Sequence, residues 1–287
     1  MAPRVSSYMT TPVVVVKPDD TLAHARNLML KKDIGRLVVV DEAGRPIGVI
    51  TISDIIRALV SKYMSRPIDT IMVEEAMTRD PITIESTRSL KTVAGLMLKY
   101  KIGGLPVVDS ARKLIGIITR SDIVAAFSDK YRGKYKVGDI MRRTFAKAEK
   151  GHSLYYISRL IESDPAGKVI VVDENDKPIG IIAKRDIAFT HIDATLAASR
   201  GKDRFIKIKT KGLYADKIIS ARVYLVPIAE DIMSTDPIQV DPDFDAADAA
   251  RIMNEEGIGI LPVTDSEGKV IGVLSKIEIL AVMAKEG

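Results

Sequence analysis

The chain has 287 residues, of which 46% are hydrophobic and 28% are charged, and its formal net charge is +5 at pH 7. This composition is typical of a soluble globular protein and excludes a long polar, disordered tail. The chain has no cysteine, which excludes disulfides, thiolate nucleophiles and Cys-ligated zinc, and His24, His152 and His191 lack the spacing of metal ligands.

No apolar run reaches the roughly 18 residues that a membrane-spanning helix needs, and the N-terminus lacks the apolar core and cleavage site of a signal peptide. We therefore predict a cytoplasmic protein that does not bind a membrane, and we predict no metal site. The sequence contains no Walker loop, no G-x-G-x-x-G, no G-x-S-x-G and no metal cluster, so we predict that it is not an enzyme.

One phrase occurs four times in chain order, as GVITISD at 48–54, GIITRSD at 116–122, GIIAKRD at 180–186 and GVLSKIE at 272–278. A methionine stands 39 residues before each of the four glycines, and an aspartate stands seven residues before it. The methionines are Met9, Met77, Met141 and Met233, and the aspartates are Asp41, Asp109, Asp173 and Asp265. Constant spacing in four places predicts four copies of one structural unit.

The predicted copies are copy 1 (1–64), copy 2 (65–131), copy 3 (132–194) and copy 4 (230–287), with a basic insert at 195–229. Copy 2 shows the elements most clearly: a strand at PITI, a helix at SLKTVAGLMLKY, strands at LPVVD and LIGIIT, and a helix at SDIVAAF. Ser121 is the predicted cap of that last helix. A unit of about 55 residues has a marginal core, so we expect the copies to pack in pairs, sheet against sheet.

The unit closely resembles the CBS domain, with a leading M-x-x-x-P, an I-G-x-L-P-V-V-D and a closing G-h-h-T-x-x-D, where h is apolar. The resemblance covers nearly the whole chain apart from 195–229. It implies an α/β (α+β) fold in which consecutive units pair into two Bateman modules that form a disc. It also implies clefts for adenosine-containing ligands, namely AMP, ADP, ATP or S-adenosylmethionine, with no catalytic cofactor.

Each repeated phrase ends a strand with Thr, Ser or Ala and begins a helix with a carboxylate at the third position. A helix N-terminus suits phosphate, and a carboxylate can accept hydrogen bonds from ribose hydroxyls. The same residues are also how ordinary helices begin, which stabilises them by about 1 kcal/mol without any ligand. The position after the I-G of the motif, or after its equivalent, holds a cation in two copies, Arg36 and Lys168. A helix cap needs no cation there, so this observation favours a ligand site.

The candidate ligand residues differ from copy to copy. Copies 1 and 2 have the fullest sets, copy 3 has Ala183 in place of the hydroxyl, and copy 4 has the longer Glu278 in place of Asp. The candidates are Arg36, Thr51 and Asp54 in copy 1; Gly103, Gly104, Thr119, Arg120 and Asp122 in copy 2; Lys168, Lys184 and Asp186 in copy 3; and Ser275 and Lys276 in copy 4. Gly103 and Gly104 would leave room for a base or phosphate. The resemblance also implies an adenine slot lined by Val13 and Ile82, although both could equally be core residues.

The favoured hypothesis is a stand-alone regulatory protein that senses an adenosyl ligand. An alternative is a nucleic-acid-associated protein whose CBS units serve as a scaffold. Residues 195–224 hold eight Lys or Arg against two Asp, with interleaved aromatic residues, and such a segment can contact phosphates and stack on bases. We expect a hairpin with one basic face there. A third hypothesis is that the sites are empty and that the CBS units serve assembly only. The sequence leaves two kinds of protein partner open, a second copy of the chain in a homodimer or a regulated protein.

Overall fold

The computed structural model describes residues 3–58, 66–187 and 227–286. Residues 195–226 of the predicted insert, with the expected hairpin and basic face, lie outside the described residues. No helix in the described ranges is long and apolar enough to cross a membrane.

The described elements follow the predicted order in each copy. The strands are β1 Val15–Val16, β2 Arg36–Val40, β3 Pro46–Thr51, β4 Thr78–Arg79, β5 Ile84–Glu85, β6 Gly104–Val108, β7 Leu114–Thr119, β8 Lys147–Glu149, β9 Lys168–Val172, β10 Pro178–Ala183, β11 Ser234–Thr235, β12 Ile260–Thr264 and β13 Val270–Ser275. The helices are α1 Leu22–Lys32, α2 Ile52–Arg57, α3 Val73–Ala76, α4 Leu90–Lys99, α5 Arg120–Lys130, α6 Val137–Ile140, α7 Leu154–Ser163, α8 Ala229–Ile232, α9 Ala246–Glu255 and α10 Lys276–Lys285. Residues 184–187 are also helical.

Each copy is built on an antiparallel hairpin with a parallel strand beside it. The hairpins are β2–β3, β6–β7, β9–β10 and β12–β13. The strands β1, β5 and β8 pair in parallel with the first hairpin strand of their own copy, and in copy 4 a single bridge between Val240 and Val263 takes this place. The predicted strand–helix–strand–strand–helix unit is therefore confirmed.

The repeated aspartates shape the hairpin turns. The side chain of Asp41 accepts hydrogen bonds from the backbone N–H groups of Ala43 and Arg45, at 2.9 and 2.8 Å. Asp109, Asp173 and Asp265 make the same pair of bonds in their own copies. An aspartate that bonds the backbone two and four residues later holds a tight turn, so this repeated residue has a structural role.

The segment after each repeated methionine leaves its own copy and joins the sheet of the neighbouring copy. Strand β4, at the start of copy 2, pairs with β3 of copy 1, and β11, at the start of copy 4, pairs with β10 of copy 3. The bridges Thr10–Ile117 and Arg142–Val273 complete the exchange in the opposite direction. Copies 1 and 2 therefore form one pair, called module 1, and copies 3 and 4 form another, called module 2.

The methionine and the glycine that are spaced 39 residues apart in sequence do not contact each other. Met77 lies on Gly48 of copy 1, where a β-carbon on the glycine would sit 2.4 Å from the methionine Sδ. The same contact joins Met9 to Gly116, Met233 to Gly180 and Met141 to Gly272, with corresponding distances of 2.5–2.8 Å. Only glycine leaves room for these contacts, so both repeated residues serve the pairing between copies.

The two modules meet through the helices of copies 2 and 4. Helix α5 packs on α9 and α10, and α4 packs on α10. Fully buried side chains of both copies form one hydrophobic cluster, which includes Met97, Phe127, Leu261 and Leu280. Copies 1 and 3 each have a smaller core of their own. The interface between modules is therefore a continuous part of the protein core on the side of copies 2 and 4.

Candidate functional site

Asp54, Asp122, Asp186 and Glu278 each lie in the first turn of a helix and accept the backbone N–H of the residue three positions before them, which caps that turn. In copy 2 the backbone N–H and the hydroxyl of Thr119 donate to Asp122 Oδ2 at 2.6 and 2.7 Å. In copy 1 Thr51 makes the same two bonds to Asp54, at 3.0 and 2.6 Å. Thr119 is the N-cap of α5, so the prediction that Ser121 caps this helix was wrong. Because the cap uses one carboxylate oxygen, the environment of the other oxygen separates the four clefts.

In copies 1 and 2 that other carboxylate oxygen has different partners. Asp54 Oδ1 lies 3.2 Å from the guanidinium of Arg57. Asp122 Oδ1 accepts a long hydrogen bond of 3.3 Å from the hydroxyl of Thr10, which comes from the exchanged segment of copy 1. Burial raises the pKa of Asp122, even though hydrogen bonds from Thr119 and Thr10 act in the opposite direction. The Asp122 carboxylate therefore caps α5 through one oxygen and accepts a weak hydroxyl contact through the other. It forms no ion pair among the described residues.

Arg36 completes the cleft of copy 2 rather than that of copy 1. A β-carbon on Gly103 would lie 2.5 Å from Arg36 Nη2, and one on Gly104 would lie 2.5 Å from Nη1. The two glycines therefore do leave room, as the sequence suggests, but the guanidinium of Arg36 occupies it. Burial and the neighbouring charge of Arg120 lower the pKa of Arg36 to about 10, while Asp122 acts to raise it. Arg36 is the strand partner of Thr51, as the predicted grouping with Thr51 and Asp54 requires, but its guanidinium lies on the two glycines of copy 2, so the cation joins a group that spans copies 1 and 2.

Copy 3 repeats this arrangement with lysine. Asp186 accepts the backbone N–H of Ala183 at 2.7 Å, so the helix is capped without a hydroxyl at that position. Lys184 is exposed, and its Cε would lie 3.2 Å from a β-carbon on Gly167 of the same copy. Lys168 instead extends to copy 4, where its Cε would lie 3.1 Å from a β-carbon on Gly259. Lys168 therefore crosses to the other copy of module 2, as Arg36 crosses to the other copy of module 1.

An internal ion pair fills the cleft of copy 4. Glu278 accepts the backbone N–H of Ser275 at 2.8 Å and the hydroxyl of Ser275, and its Oε1 accepts Arg142 Nε at 3.0 Å. The same guanidinium donates to Asp164 Oδ2 and Oδ1 of copy 3 at 2.9 and 3.2 Å. The Glu278 and Asp164 side chains are 9% and 2% exposed. In copy 4, where Glu278 stands in place of Asp, the carboxylate is therefore paired with Arg142.

Sequence reasoning missed Thr10 and Arg142, which both follow a repeated methionine directly. The exchange of segments brings each of them to the carboxylate of the neighbouring copy. The signal was present in the sequence, because this position holds Thr10, Thr78, Arg142 or Ser234 and is polar in all four copies. Its use could be found only by knowing that the segment crosses to the other copy.

Lys276 of copy 4 reaches into copy 2. Its Nζ donates to the hydroxyl of Ser121 at 2.8 Å, and Asn254 Nδ2 donates to the carbonyl of Ser121 at 3.3 Å. Burial, together with the charges of Lys168, Arg36 and Arg120, lowers the pKa of Lys276 to about 8, against the opposing effect of Asp122. The clefts of the two modules therefore share an electrostatic environment.

The predicted adenine-slot residues stand just before the first strands of copies 1 and 2. Val13 and Ile82 are both half-buried, and β1 and β5 begin two residues after each of them. Ile82 packs against the hydrophobic cluster shared by copies 2 and 4. Within the described ranges there is no group of three or more His, Asp or Glu residues that could hold a metal ion.

Comparison with known proteins agrees with this geometry. The model of the CBS domain family matches residues 5–71, 73–129, 137–190 and 229–285. The chain belongs to the CBS domain family. Four tandem CBS domains thus account for most of its length.

Two archaeal proteins share the full architecture. An uncharacterized protein of Methanocaldococcus jannaschii is 30% identical over 195 residues, which are 64% of this chain and 68% of the relative. Its crystal structure, proposed to be that of an archaeal homologue of γ-AMPK, has a TM-score of 0.76 at 24% identity over 98% of this chain and 100% of that one. A Pyrococcus horikoshii structure has a TM-score of 0.66 at 21% identity over 98% and 99% of the two chains. At these identities the two structures establish the fold alone.

CBS segments also occur within enzymes. The L-aspartate semialdehyde sulfurtransferase of Methanocaldococcus jannaschii is 34% identical over 126 residues, which are 44% of this chain but 23% of the enzyme. The present chain therefore matches about a quarter of that enzyme.

Proposed function

We propose that this CBS domain protein is a non-catalytic sensor that binds an adenosyl ligand, such as AMP, ADP, ATP or S-adenosylmethionine, in the clefts between paired copies. The observation that carries the proposal is the group around Asp122 in module 1. A carboxylate that caps its helix, a hydroxyl from the exchanged segment and the guanidinium groups of Arg36 and Arg120 meet there at the N-terminus of an 11-residue helix. This set offers acceptors for ribose hydroxyls and donors for phosphate.

The four clefts are not equivalent under this proposal. The cleft at Asp122 is the principal site, because only a 3.3 Å hydroxyl contact holds the second carboxylate oxygen. The cleft at Asp54 is secondary, since Arg57 must yield that oxygen to the ribose. The cleft at Glu278 does not take the ligand, because Arg142 already occupies its carboxylate. We expect fewer than four ligands per chain.

A regulatory role fits this arrangement better than catalysis. Each repeated carboxylate is engaged in capping its own helix, and the match to the sulfurtransferase covers only 23% of that enzyme, so its activity is not carried over. A ligand in the cleft of module 1 touches both copies at once through Thr10, Arg36 and Asp122. It can shift the arrangement of the copies by the difference in its affinity for the two states.

The test is isothermal titration of the nucleotide-free protein with AMP, ATP and S-adenosylmethionine at 150 mM salt. Asp122→Asn removes the charge but keeps an acceptor oxygen for the helix cap. We expect it to weaken the binding of the preferred ligand by about tenfold or more, since hydrogen bonds to charged groups are worth about 1.5–3 kcal/mol.

Asp139→Asn is the matched control. Asp139 caps α6 by accepting the backbone N–H of Lys136 at 2.9 Å, and it lies outside the clefts. It should leave the affinity unchanged. The proposed function would be refuted if none of the three ligands bound, or if Asp122→Asn bound each of them with the same affinity as the wild type.

A further inference from the structure

A cavity of about 430 Å³ lies in copy 2, apart from the proposed adenosyl cleft. It lies at the end of β6 that carries Val108, whereas the cleft at Asp122 lies at the end that carries Gly104, the strand partner of Thr119. The five residues of β6 separate the two places by about 13 Å. None of the residues that line the cavity is a candidate ligand residue of the cleft. The cavity and the cleft are therefore separate places on copy 2.

The cavity has an apolar base and a polar rim. Ile84 and Val108, which are both buried, form part of the base, and Thr92 and Ser110 bring hydroxyl groups to the rim. No aromatic side chain stands among the described residues that line it, so it offers a nucleotide base nothing to stack on. Its volume lies within the range of roughly 300–1,000 Å³ that is common for small-molecule sites. The cavity therefore suits a small polar molecule that has no base.

Two arginines and two carboxylates give the rim its charge. Arg88 Nε lies 3.9 Å from Glu85 Oε2, and the two side chains are 63% and 61% exposed, so this ion pair is long and weak. Arg112 forms no ion pair among the residues that the structure describes. Asp109 Oδ1 accepts two backbone N–H groups of its own turn, at 2.9 and 2.8 Å. Both guanidinium groups and the Glu85 carboxylate are therefore available to a ligand.

The other three copies show that the folded unit does not need these arginines. The position of Arg112 holds Gly44, Asp176 or Gly268, and the position of Arg88 holds Asp20, His152 or Phe244. Arg112 has a φ of 62°, in the left-handed region that favours glycine, and the turns of copies 1 and 4 form with glycine at φ values of 76° and 81°. An arginine there costs backbone energy and adds nothing that the turn requires. This cost indicates a role for the Arg112 side chain in the cavity.

We propose that this cavity binds a small molecule that carries one terminal phosphate group and several hydroxyl groups. Two guanidinium forks take up about four oxygen contacts, which suits the three acceptor oxygens of a phosphate group better than the two oxygens of a carboxylate. The Glu85 carboxylate accepts hydrogen bonds and accordingly favours hydroxyl groups on the body of the ligand. Thr92 and Ser110 can donate and accept at the same rim. A sugar phosphate has this combination of groups.

This site is independent of the proposed function, and calorimetric titration of the full chain tests it. The probes are ribose 5-phosphate and inorganic phosphate at pH 7 and 150 mM salt. We expect ribose 5-phosphate to bind more tightly than inorganic phosphate. Arg88→Met and Arg112→Gly should each weaken the binding of ribose 5-phosphate by about 10- to 100-fold, the range for a hydrogen bond to a charged group. Glu85→Gln should weaken ribose 5-phosphate without weakening inorganic phosphate.

Lys113→Met is the matched control. Lys113 is exposed and belongs to the same turn as Arg112, but it does not line the cavity. Its backbone N–H, which donates to Asp109 at 2.8 Å, stays in place in the variant. Removal of this positive charge should leave the affinity for ribose 5-phosphate unchanged, and so should Asp122→Asn.

Thermal unfolding gives a second readout, which separates a binding role of Arg112 from a structural one. Because glycine relieves the left-handed backbone, Arg112→Gly should raise the melting temperature of the ligand-free protein by up to about 4 °C. The same variant should lose most of the rise that ribose 5-phosphate causes in the wild type. A fall in the melting temperature of ligand-free Arg112→Gly would show that the arginine serves the fold, which would contradict the inference.

The outcomes separate this inference from the proposed function. The cavity site would be overturned if ribose 5-phosphate did not bind, if its binding survived both arginine variants, or if its binding were lost in Asp122→Asn. Equal affinity for ribose 5-phosphate and inorganic phosphate would refute the hydroxyl-bearing ligand. Binding of ribose 5-phosphate that is lost only in the cavity variants would support the cavity site even if no adenosyl ligand bound, in which case the sensor alone would fall.

Discussion

The ion pairs of Arg142 provide the most quantitative test of how module 2 is held together. Arg142 belongs to the exchanged segment of copy 3, and its guanidinium joins Asp164 of copy 3 to Glu278 of copy 4. Replacing Arg142 by Met keeps most of the side-chain volume and removes the charge. The two carboxylates then remain at 2% and 9% exposure without their cation.

The expected cost follows from this burial. Removing one partner of a buried ion pair typically costs about 3–5 kcal/mol, because the remaining charge stays buried without compensation. We expect a loss of about that size in the free energy of unfolding at pH 7.

Urea unfolding followed by circular dichroism measures the loss. Lys147→Met is the control, since the Lys147–Asp176 pair spans 2.6 Å but its side chains are 45% and 54% exposed, and such pairs contribute about 0–1 kcal/mol. Adding Glu278→Gln to Arg142→Met should restore part of the stability. A loss for Arg142→Met of under about 1 kcal/mol, equal to that of the control, would show that the pair does not hold the two copies together.

Two further predictions concern the glycine–methionine contacts between copies and the buried amine of Lys276. Gly48→Ala should destabilise the protein by about 1–3 kcal/mol because its β-carbon would lie 2.4 Å from Met77 Sδ, whereas Gly95→Ala, in open space on α4, should stabilise it by up to about 1 kcal/mol; equal effects in thermal unfolding would contradict the glycine–methionine pairing. Lys276 has a pKa of about 8 in the fold against 10.5 for an ordinary lysine, so the unfolded chain binds more protons between these values, and the stability of the ligand-free protein should rise with pH from 8 toward 10.5. The rise should be smaller in Lys276→Met, and an identical pH profile in wild type and variant would show that Lys276 does not titrate in this range. Burial is the main cause of the lowered pKa of Lys276; the charges of Lys168, Arg36 and Arg120 add to the shift, and Asp122 opposes it.

The sequence by itself determined the repeated unit. Its strands are runs of apolar residues, its helices bury side chains at helical spacing such as Leu90, Val93, Ala94 and Met97, and its turns carry Asp41 and its three counterparts. These features are local, since they depend on residues within a few positions of one another. Four copies with constant spacing therefore defined the family and the elements, and they placed the carboxylate at each helix N-terminus.

Only the tertiary structure decided which residues share a cleft. The exchange of segments separates each methionine from its own glycine and carries Thr10 to Asp122 and Arg142 to Glu278. The pairing of sheets sends Arg36 to Gly103 and Lys168 to Gly259, so each cation serves the neighbouring copy. A single copy is too small to bury its own sheet, and the site residues are brought together by the packing that completes the core. Such contacts depend on how surfaces fit in space, and spacing along one chain does not encode them.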